Sequence, residues 1–304
     1  MQNSRRKFLK NGLLGATAIG LAPLYNACNP SSTKLTILHT NDVHSHIDPF
    51  PPTHSRWPSQ GGFARRAALI DQIRNEQENV LLLDCGDIFQ GTPYFNIYKG
   101  KLEIDLMNRM GYDAATLGNH EFDNGIEALA AQVSRANFPF VCSNYSFEET
   151  PLQGLTIPSL IINKGPIKIG IIGLGIELNG LVNPKSYENT IYHNPIEVAN
   201  NTAKQLKTTE SCDLVIVLSH LGFKYDTNKV SDVLVAQSSS HIDMVLGGHT
   251  HTFMEKPERV MNQNQEEVVV NQAGWGGIYL GRLDVELNKA TKQTPQVLNA
   301  IYHV

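Results

Sequence analysis

Basic surplus, a disulfide framework and a long apolar run are all missing from this chain of 304 residues. Lys and Arg number 25 against 29 Asp and Glu, a formal charge of −4, and no run of like charge interrupts the chain. A nucleic acid duplex is therefore not expected as a partner. Of the 4 cysteines, Cys85, Cys142 and Cys212 lie far apart in sequence, each in or beside an apolar run. An odd set of that kind is not a disulfide framework and reads as buried free thiols. The chain shows neither an internal repeat nor a long linker, and its 8% aromatic content marks out no stacking platform. The pair Gly173 and Gly175 lacks the third glycine of a dinucleotide fingerprint. What remains is an ordinary globular composition, 41% hydrophobic, enough for a sizeable core.

The first 28 residues read as an address. NSRRKFLK (3–10) sets a twin arginine, Arg5 and Arg6, before Phe and Leu, and the mild Gly- and Ala-rich NGLLGATAIGLAPL (11–24) follows. That stretch is short of the about 20 apolar residues a spanning helix needs, and the pattern is that of a twin-arginine export signal. Cys28, in LYNACNPSST, resembles the lipidation point of bacterial lipoproteins, although the preceding YNA departs from the usual small residues. A cleaved, soluble secreted form is the other reading. Both expect the mature chain to start near Cys28 and to work outside the cytoplasm, in the periplasm or anchored to a membrane.

From residue 33 onward, short apolar runs alternate with helical stretches. Strands are expected at 34–40, 80–87, 113–118, 167–175, 212–220 and 241–251. A helical stripe at 63, 67, 70 and 73 lies between the first two, and further helices are expected at 101–110, 124–136, 195–208 and 228–238. Two final strands, EEVVVNQ and GGIYLGRLDVEL, separated only by AGWG, read as an antiparallel pair. The alternation implies a single α/β domain over 29–304, with mixed sheets and covering helices.

The chemistry gathers where these strands end. NDVH brings Asp42 and His44; CGD brings Asp87; GNHEFD brings Asn119, His120, Glu121 and Asp123; then come His220, and His249 with His251 in GGHTH. Open α/β sheets place their sites at the carboxyl ends of strands. Asp42 and His44 are two apart, as are His249 and His251, so each pair faces one side if the chain is extended. Gly247 and Gly248 are expected to permit a sharp turn before the second pair. Mixed oxygen and imidazole donors suit Mn, Zn, Fe, Co or Mg rather than a soft thiolate metal. Seven candidate ligands exceed one tetrahedral site. Two divalent metal ions sharing a carboxylate, Asp87, suit them better, and ions about 3.5–4 Å apart can grip a phosphoryl group. Cys85 is expected to point away, and His46 to line the entrance. His39, His54, His193, His241 and His303 read as packing or surface residues.

NDVH, GD, GNHEFD, SH and GGHTH together resemble the calcineurin-like metallophosphoesterase signature. LLLDCGDIFQGT, TLGNHEFDNG and NQAGWGGIYLGRLDVEL narrow the likeness to the N-terminal catalytic domain of the 5′-nucleotidase family, over about 34–288. The resemblance implies a four-layer αββα sandwich of two mixed sheets, the metallophosphatase fold. It implies that Asp42, His44, Asp87 and His251 hold one ion, and Asp87, Asn119, His220 and His249 the other. His251 stands where several relatives carry Gln. His120 is similar to the family's catalytic histidine, with Asp123 hydrogen-bonded to its ring; Glu121 receives no role and is expected to be structural.

The function so implied is an exported phosphoesterase that hydrolyses nucleoside 5′-monophosphates through metal-activated hydroxide. The alternatives are a 2′,3′-cyclic nucleotide phosphodiesterase, a nucleotide-sugar hydrolase, or a non-catalytic surface-binding module that keeps its metal. Typical 5′-nucleotidases carry a second domain that holds the nucleoside, and the chain stops at Val304. A separate polypeptide supplying that half is therefore one expected partner; action alone as a broad phosphatase is the other expectation.

Overall fold

Strand β1 (Thr33–Thr40) is buried continuously from Leu35 to Thr40, as a central strand covered on both faces should be. A computed structural model describes residues 32–287 and 296–304 and nothing of the side chains of 296–301. The expected signal and Cys28 lie outside the described residues. Thr33–Val304 forms one compact unit.

The elements alternate as the apolar pattern requires. After β1 come α1 (Phe63–Glu76), β2 (Val80–Asp84), α2 (Pro93–Tyr98), α3 (Lys101–Met110), β3 (Ala114–Ala115) and α4 (Ile126–Val133). Then follow β4 (Tyr145–Ser146), β5 (Leu160–Lys164), β6 (Ile167–Leu174), α5 (Pro184–Tyr187), β7 (Ile191–Tyr192) and α6 (Pro195–Thr208). The remainder is β8 (Leu214–Ser219), α7 (Asp232–Gln237), β9 (Met244–Gly247), β10 (Glu258–Met261), β11 (Glu267–Gln272), β12 (Tyr279–Leu287) and β13 (Gln296–His303).

Local chemistry sets several boundaries. Helix α6 starts at Asn194, whose side chain accepts from the Ile196 and Glu197 amides, with Pro195 in the first turn where no N–H is needed. Helix α3 stops at Gly111, in the left-handed conformation that closes helices.

One sheet runs β13-β12-β1-β2-β3 and the other β10-β11-β9-β8-β6-β5. Between them lie Leu35, Ile37, Leu81, Leu83, Ile169, Ile171, Ile216, Leu218 and Leu246. The outer face of the first sheet packs Leu38 and Leu82 against Ile70, Ile104, Met107 and Leu129 of α1, α3 and α4. The outer face of the second packs Val215, Val217 and Val245 against Ala199, Ala203, Leu206 and Val233 of α6 and α7. This is the αββα sandwich. Cys85, Cys142 and Cys212 are buried and free, as expected.

Register then aligns the exits of the strands. Thr40 pairs with Asp84, Asp84 with Ala115, and Ser219 with Gly247, all parallel. Each sheet therefore releases its loops at one level and on one edge.

The expected hairpin of the last two long runs is corrected. Strand β11 pairs parallel with β9 in one sheet, whereas β12 pairs antiparallel with β1 in the other. AGWG is a crossover between sheets, drawn across by bonds from the Ala273 amide to Asn41 Oδ1 (2.8 Å) and from the Gly276 amide to the Asp42 carbonyl (2.7 Å). Strands β5, β10 and β13 were not among the expected elements.

Leu83→Ala, in the core between the sheets, is expected to cost about 2–5 kcal/mol. Urea unfolding checks this; a loss below about 1 kcal/mol would contradict the packing described.

Candidate metal centre

Three of the five ligand-bearing loops turn left-handed as they leave their strands. Asp42 (φ 50°), His44 (φ 49°), Asp87 (φ 54°), His249 (φ 72°) and His251 (φ 53°) all occupy the left-handed region. That conformation costs an L-residue roughly 1–2 kcal/mol, so surrounding bonds must impose it. The pairs two apart thus face one side because the backbone turns at each member, not because it is extended. The glycines before His249 are also explained differently. Neither Gly247 nor Gly248 has a positive φ; instead, a Cβ at Gly248 would come 2.9 Å from both Asp42 Oδ2 and His220 Nδ1. Glycine is required there for close approach. At Gly118 a Cβ would likewise run into Asp87 Oδ1 and approach His220 Cε1 at 2.8 Å.

The first two loops zip together past their strands: the amides of Asp42, His44 and Ser45 donate to the carbonyls of Gly86, Asp87 and Ile88 at 2.9, 3.0 and 2.9 Å. The donors then converge in two groups, Asp42–His44–His251 and Asp87–His220–His249, each with ligand atoms within 4.8 Å of one another. Asp87 Oδ2 joins the groups, 3.0 Å from His220 Nε2 and 3.8 Å from His44 Nε2. Asn119 Oδ1 approaches the second group, 2.9 Å from His249 Nδ1. All seven expected ligand residues are brought to this one place.

Carbonyls fix the imidazole tautomers. His44 Nδ1 faces the Phe89 and Gln90 carbonyls at 3.2 and 3.1 Å, and His220 Nδ1 faces the Cys85 carbonyl at 2.7 Å. Carbonyls only accept, so each Nδ1 carries a proton and Nε2 is the nitrogen left to face a cation. His44 Nε2 stands 3.1 Å from His251 Nε2. His220 Nε2 is buried and has no aligned hydrogen-bond partner. Imidazole nitrogens that face one another and two buried carboxylates form a donor set that fits divalent cations.

Electrostatics agree with that donor set. Burial alone would push Asp87 up, yet the His220, His44 and His120 charges together hold it well below the ordinary carboxylate range. Burial opposes a charge on His220, but Asp87 and then Asp42 push it up to about 10. The carboxylates favour a positive charge at that point, proton or metal alike. Burial, then His220, pushes His249 down to about 4, which keeps its ring neutral and able to donate a lone pair.

His120 stands apart from both groups, edge-on to His44 with ring centroids 5.2 Å apart. Its Nδ1 is 2.8 Å from Asp123 Oδ2, and that bond is the main cause raising its pKa to about 8. Its own backbone amide donates to Asp87 Oδ1 at 2.9 Å.

Glu121 is structural, as expected, but in a specific way. Its buried carboxylate accepts from the amides of Asp87 (2.9 Å), Ile88 (2.7 Å), Phe89 (3.1 Å) and Gly118 (2.6 Å). It thereby ties the Asp87 loop to the Asn119 loop. Sequence reading missed Asn41, which donates to Asp42 Oδ2 (2.6 Å) and the Gly274 carbonyl (2.7 Å). Its place directly before Asp42 was the available signal. Also missed was the aromatic wall: Trp275 stacks on His251 at 5.8 Å, and His46 stacks on Phe50 at 4.6 Å with its edge to Trp275. His46 was expected at the entrance, but Trp275 is distant in sequence from His46, Phe50 and His251, so no local pattern announced the wall. His39, expected to pack, is buried and bonds to Asn271 Nδ2 at 2.8 Å.

An αββα sandwich with two groups of metal-competent donors at one edge defines a metallophosphatase. Residues 35–253 match the calcineurin-like phosphoesterase family, and the chain belongs to it. It is 38% identical over 275 residues to the snake venom 5′-nucleotidase of Crotalus adamanteus, covering 84% of this chain and 45% of that protein. It is 36% identical to the 5′-nucleotidase of Bos taurus, covering 88% and 49%. The crystal structure of a 5′-nucleotidase precursor from Thermus thermophilus superposes with a TM-score of 0.81 at 33% identity, over 89% of this chain and 54% of that one. The chain thus spans about half the length of the curated relatives it matches. No helix among the described residues is long and apolar enough to cross a membrane.

Glu121→Gln turns one acceptor toward these amides into a donor, and is expected to cost about 1–3 kcal/mol in urea unfolding. Glu127→Gln, on the exposed face of α4, serves as control at within about 0.5 kcal/mol. Equal stability of the two variants would refute the tying role.

Proposed function

We propose that this protein is an exported two-cation phosphomonoesterase acting on nucleoside 5′-monophosphates. The observation that carries the reading is the meeting of two donor groups across Asp87 Oδ2, with the His120–Asp123 pair alongside. Relatives that bear the name 5′-nucleotidase support the substrate class. Two divalent cations would supply charge neutralisation at a phosphoryl group and a more acidic water.

The residues divide that work. Asp42, His44, Asp87 and His251 would hold one cation, and Asp87, Asn119, His220 and His249 the other. Asp123 occupies His120 Nδ1, leaving Nε2 to carry a proton toward the phosphoryl or leaving oxygen. The His120 amide donates to Asp87 Oδ1 at 2.9 Å, which ties the segment bearing that ring to the carboxylate that both cations would share. A surface-binding module has little use for a carboxylate-paired histidine beside a metal centre, which favours catalysis over that alternative. The twin arginine Arg5–Arg6 supports export, and Cys28 supports attachment to a membrane through a lipid.

Asp87→Asn is expected to lower bound metal and rate together. His120→Asn is expected to keep its metal while kcat falls about 10²–10⁴-fold, by metal analysis and phosphate release from AMP. Full activity in the His120 variant would remove its catalytic role, and faster turnover of 2′,3′-cyclic AMP or UDP-glucose than AMP would overturn the substrate class. For the export reading, replacing Arg5 and Arg6 with Lys is expected to trap the chain in the cytoplasm on cell fractionation. Unchanged secretion would exclude the twin-arginine route.

A further inference from the structure

Three of the candidate ligands, His220, His249 and His251, come from the second sheet, and none of them is reached by Glu121. Two buried polar residues that the site does not use lie directly behind them. Gln272, the last residue of β11, is fully buried and pairs with Gly247 across the strand. Its Nε2 donates to Asp232 Oδ2 and to the Gly248 carbonyl, both at 2.8 Å. Its Oε1 accepts from the Thr252 amide at 3.1 Å and the Thr250 hydroxyl at 3.2 Å. The Thr252 amide can only donate, so the orientation of the Gln272 carboxamide is determined.

Asp232, the first residue of α7, is equally buried. Its Oδ1 accepts from the Ser219 hydroxyl at 2.5 Å, and its Oδ2 holds Gln272. A Cβ at Gly247 would overlap Asp232 Oδ2, so only glycine lets the strand end lie on this carboxylate. The pair therefore grips Ser219, which precedes His220; Gly248, which precedes His249; Thr250, between the two loop histidines; and Thr252, which follows His251. Both loop histidines sit at positive φ, a conformation that needs such restraint.

We propose that Asp232 and Gln272 are positioning residues that hold loop 248–252 and the end of β8 in the geometry that binds cations. They touch no substrate and no cation; they act through the backbone that carries three histidines. The proposal rests on the two-cation reading above, and the test separates the two. Full-length protein is titrated calorimetrically with Mn²⁺ alone, and hydrogen exchange is followed at amides 248–252.

Gln272→Met keeps the volume and removes every polar contact. Its Mn²⁺ affinity is expected to fall about 10–100-fold, the range for residues that orient metal ligands, with faster exchange confined to the loop. Gln272→Glu, which sets an acceptor against Asp232 and the Gly248 carbonyl, is expected to lose at least as much. A merely structural role would lower the melting temperature of the metal-free protein and leave Mn²⁺ affinity unchanged. Wild-type affinity and loop protection in folded Gln272→Met overturn the proposal. If that variant does not fold, Thr250→Val, which removes the half-buried hydroxyl bonded to Gln272 Oε1, the Phe223 amide and the Thr252 hydroxyl, takes its place with the same criteria. Failure of the wild-type protein to bind Mn²⁺ would instead overturn the metal reading.

Discussion

Two carboxylates, Asp42 and Asp87, are buried side by side where the two sheets meet, and the rest of the site follows from that. Charges of one sign are not stable in such a place unless opposite charge or donated hydrogen bonds surround them. Both are supplied here. The His249 amide donates to both Asp42 oxygens at 3.0 and 2.9 Å, and the His120 amide to Asp87 Oδ1 at 2.9 Å. Asn41 Nδ2 adds a donor to Asp42 Oδ2 at 2.6 Å, and His220 Nε2 lies 3.0 Å from Asp87 Oδ2, where a proton or a cation would answer the remaining charge. Asp87 is the harder case, because one of its oxygens faces both donor groups.

The supporting layer has the same logic on each side of the sandwich. Beneath the first sheet's loops, Glu121 gathers backbone amides around one carboxylate. Beneath the second sheet's loops, Gln272 and Asp232 gather a carbonyl, an amide and hydroxyls. The crossover AGWG links the two halves, since its amides bond to Asn41 and Asp42 while its Trp275 stacks on His251. Candidate ligand residues at positive φ need restraint, and these buried polar anchors bond to the backbone that carries them.

Much of this was legible in the order of residues. Apolar runs of four to eight residues, each followed by Asp, Asn or His, located β1, β2, β8 and β9 and their candidate ligands, because strand burial and strand-end chemistry are local properties. The helices expected at 101–110 and 195–208 are observed at those bounds for the same reason. The backbone conformation at those candidate residues was not legible: Asp42, His44 and His249 turn left-handed under bonds from residues far along the chain. Glu121 was placed as structural, yet the amides it accepts from lie more than thirty positions away except for Gly118.

By itself, then, the sequence determined the alternation of strands and helices and the identity of every candidate ligand, since these depend on residue type and near neighbours. Only the tertiary structure decided which strands share a sheet, as the separation of β11 from β12 shows, because strand pairing depends on which edges meet. It also decided that seven dispersed side chains form two groups joined at Asp87, and that Gln272 and Asp232 stand behind them. Those are distances across the chain, and no local pattern encodes them.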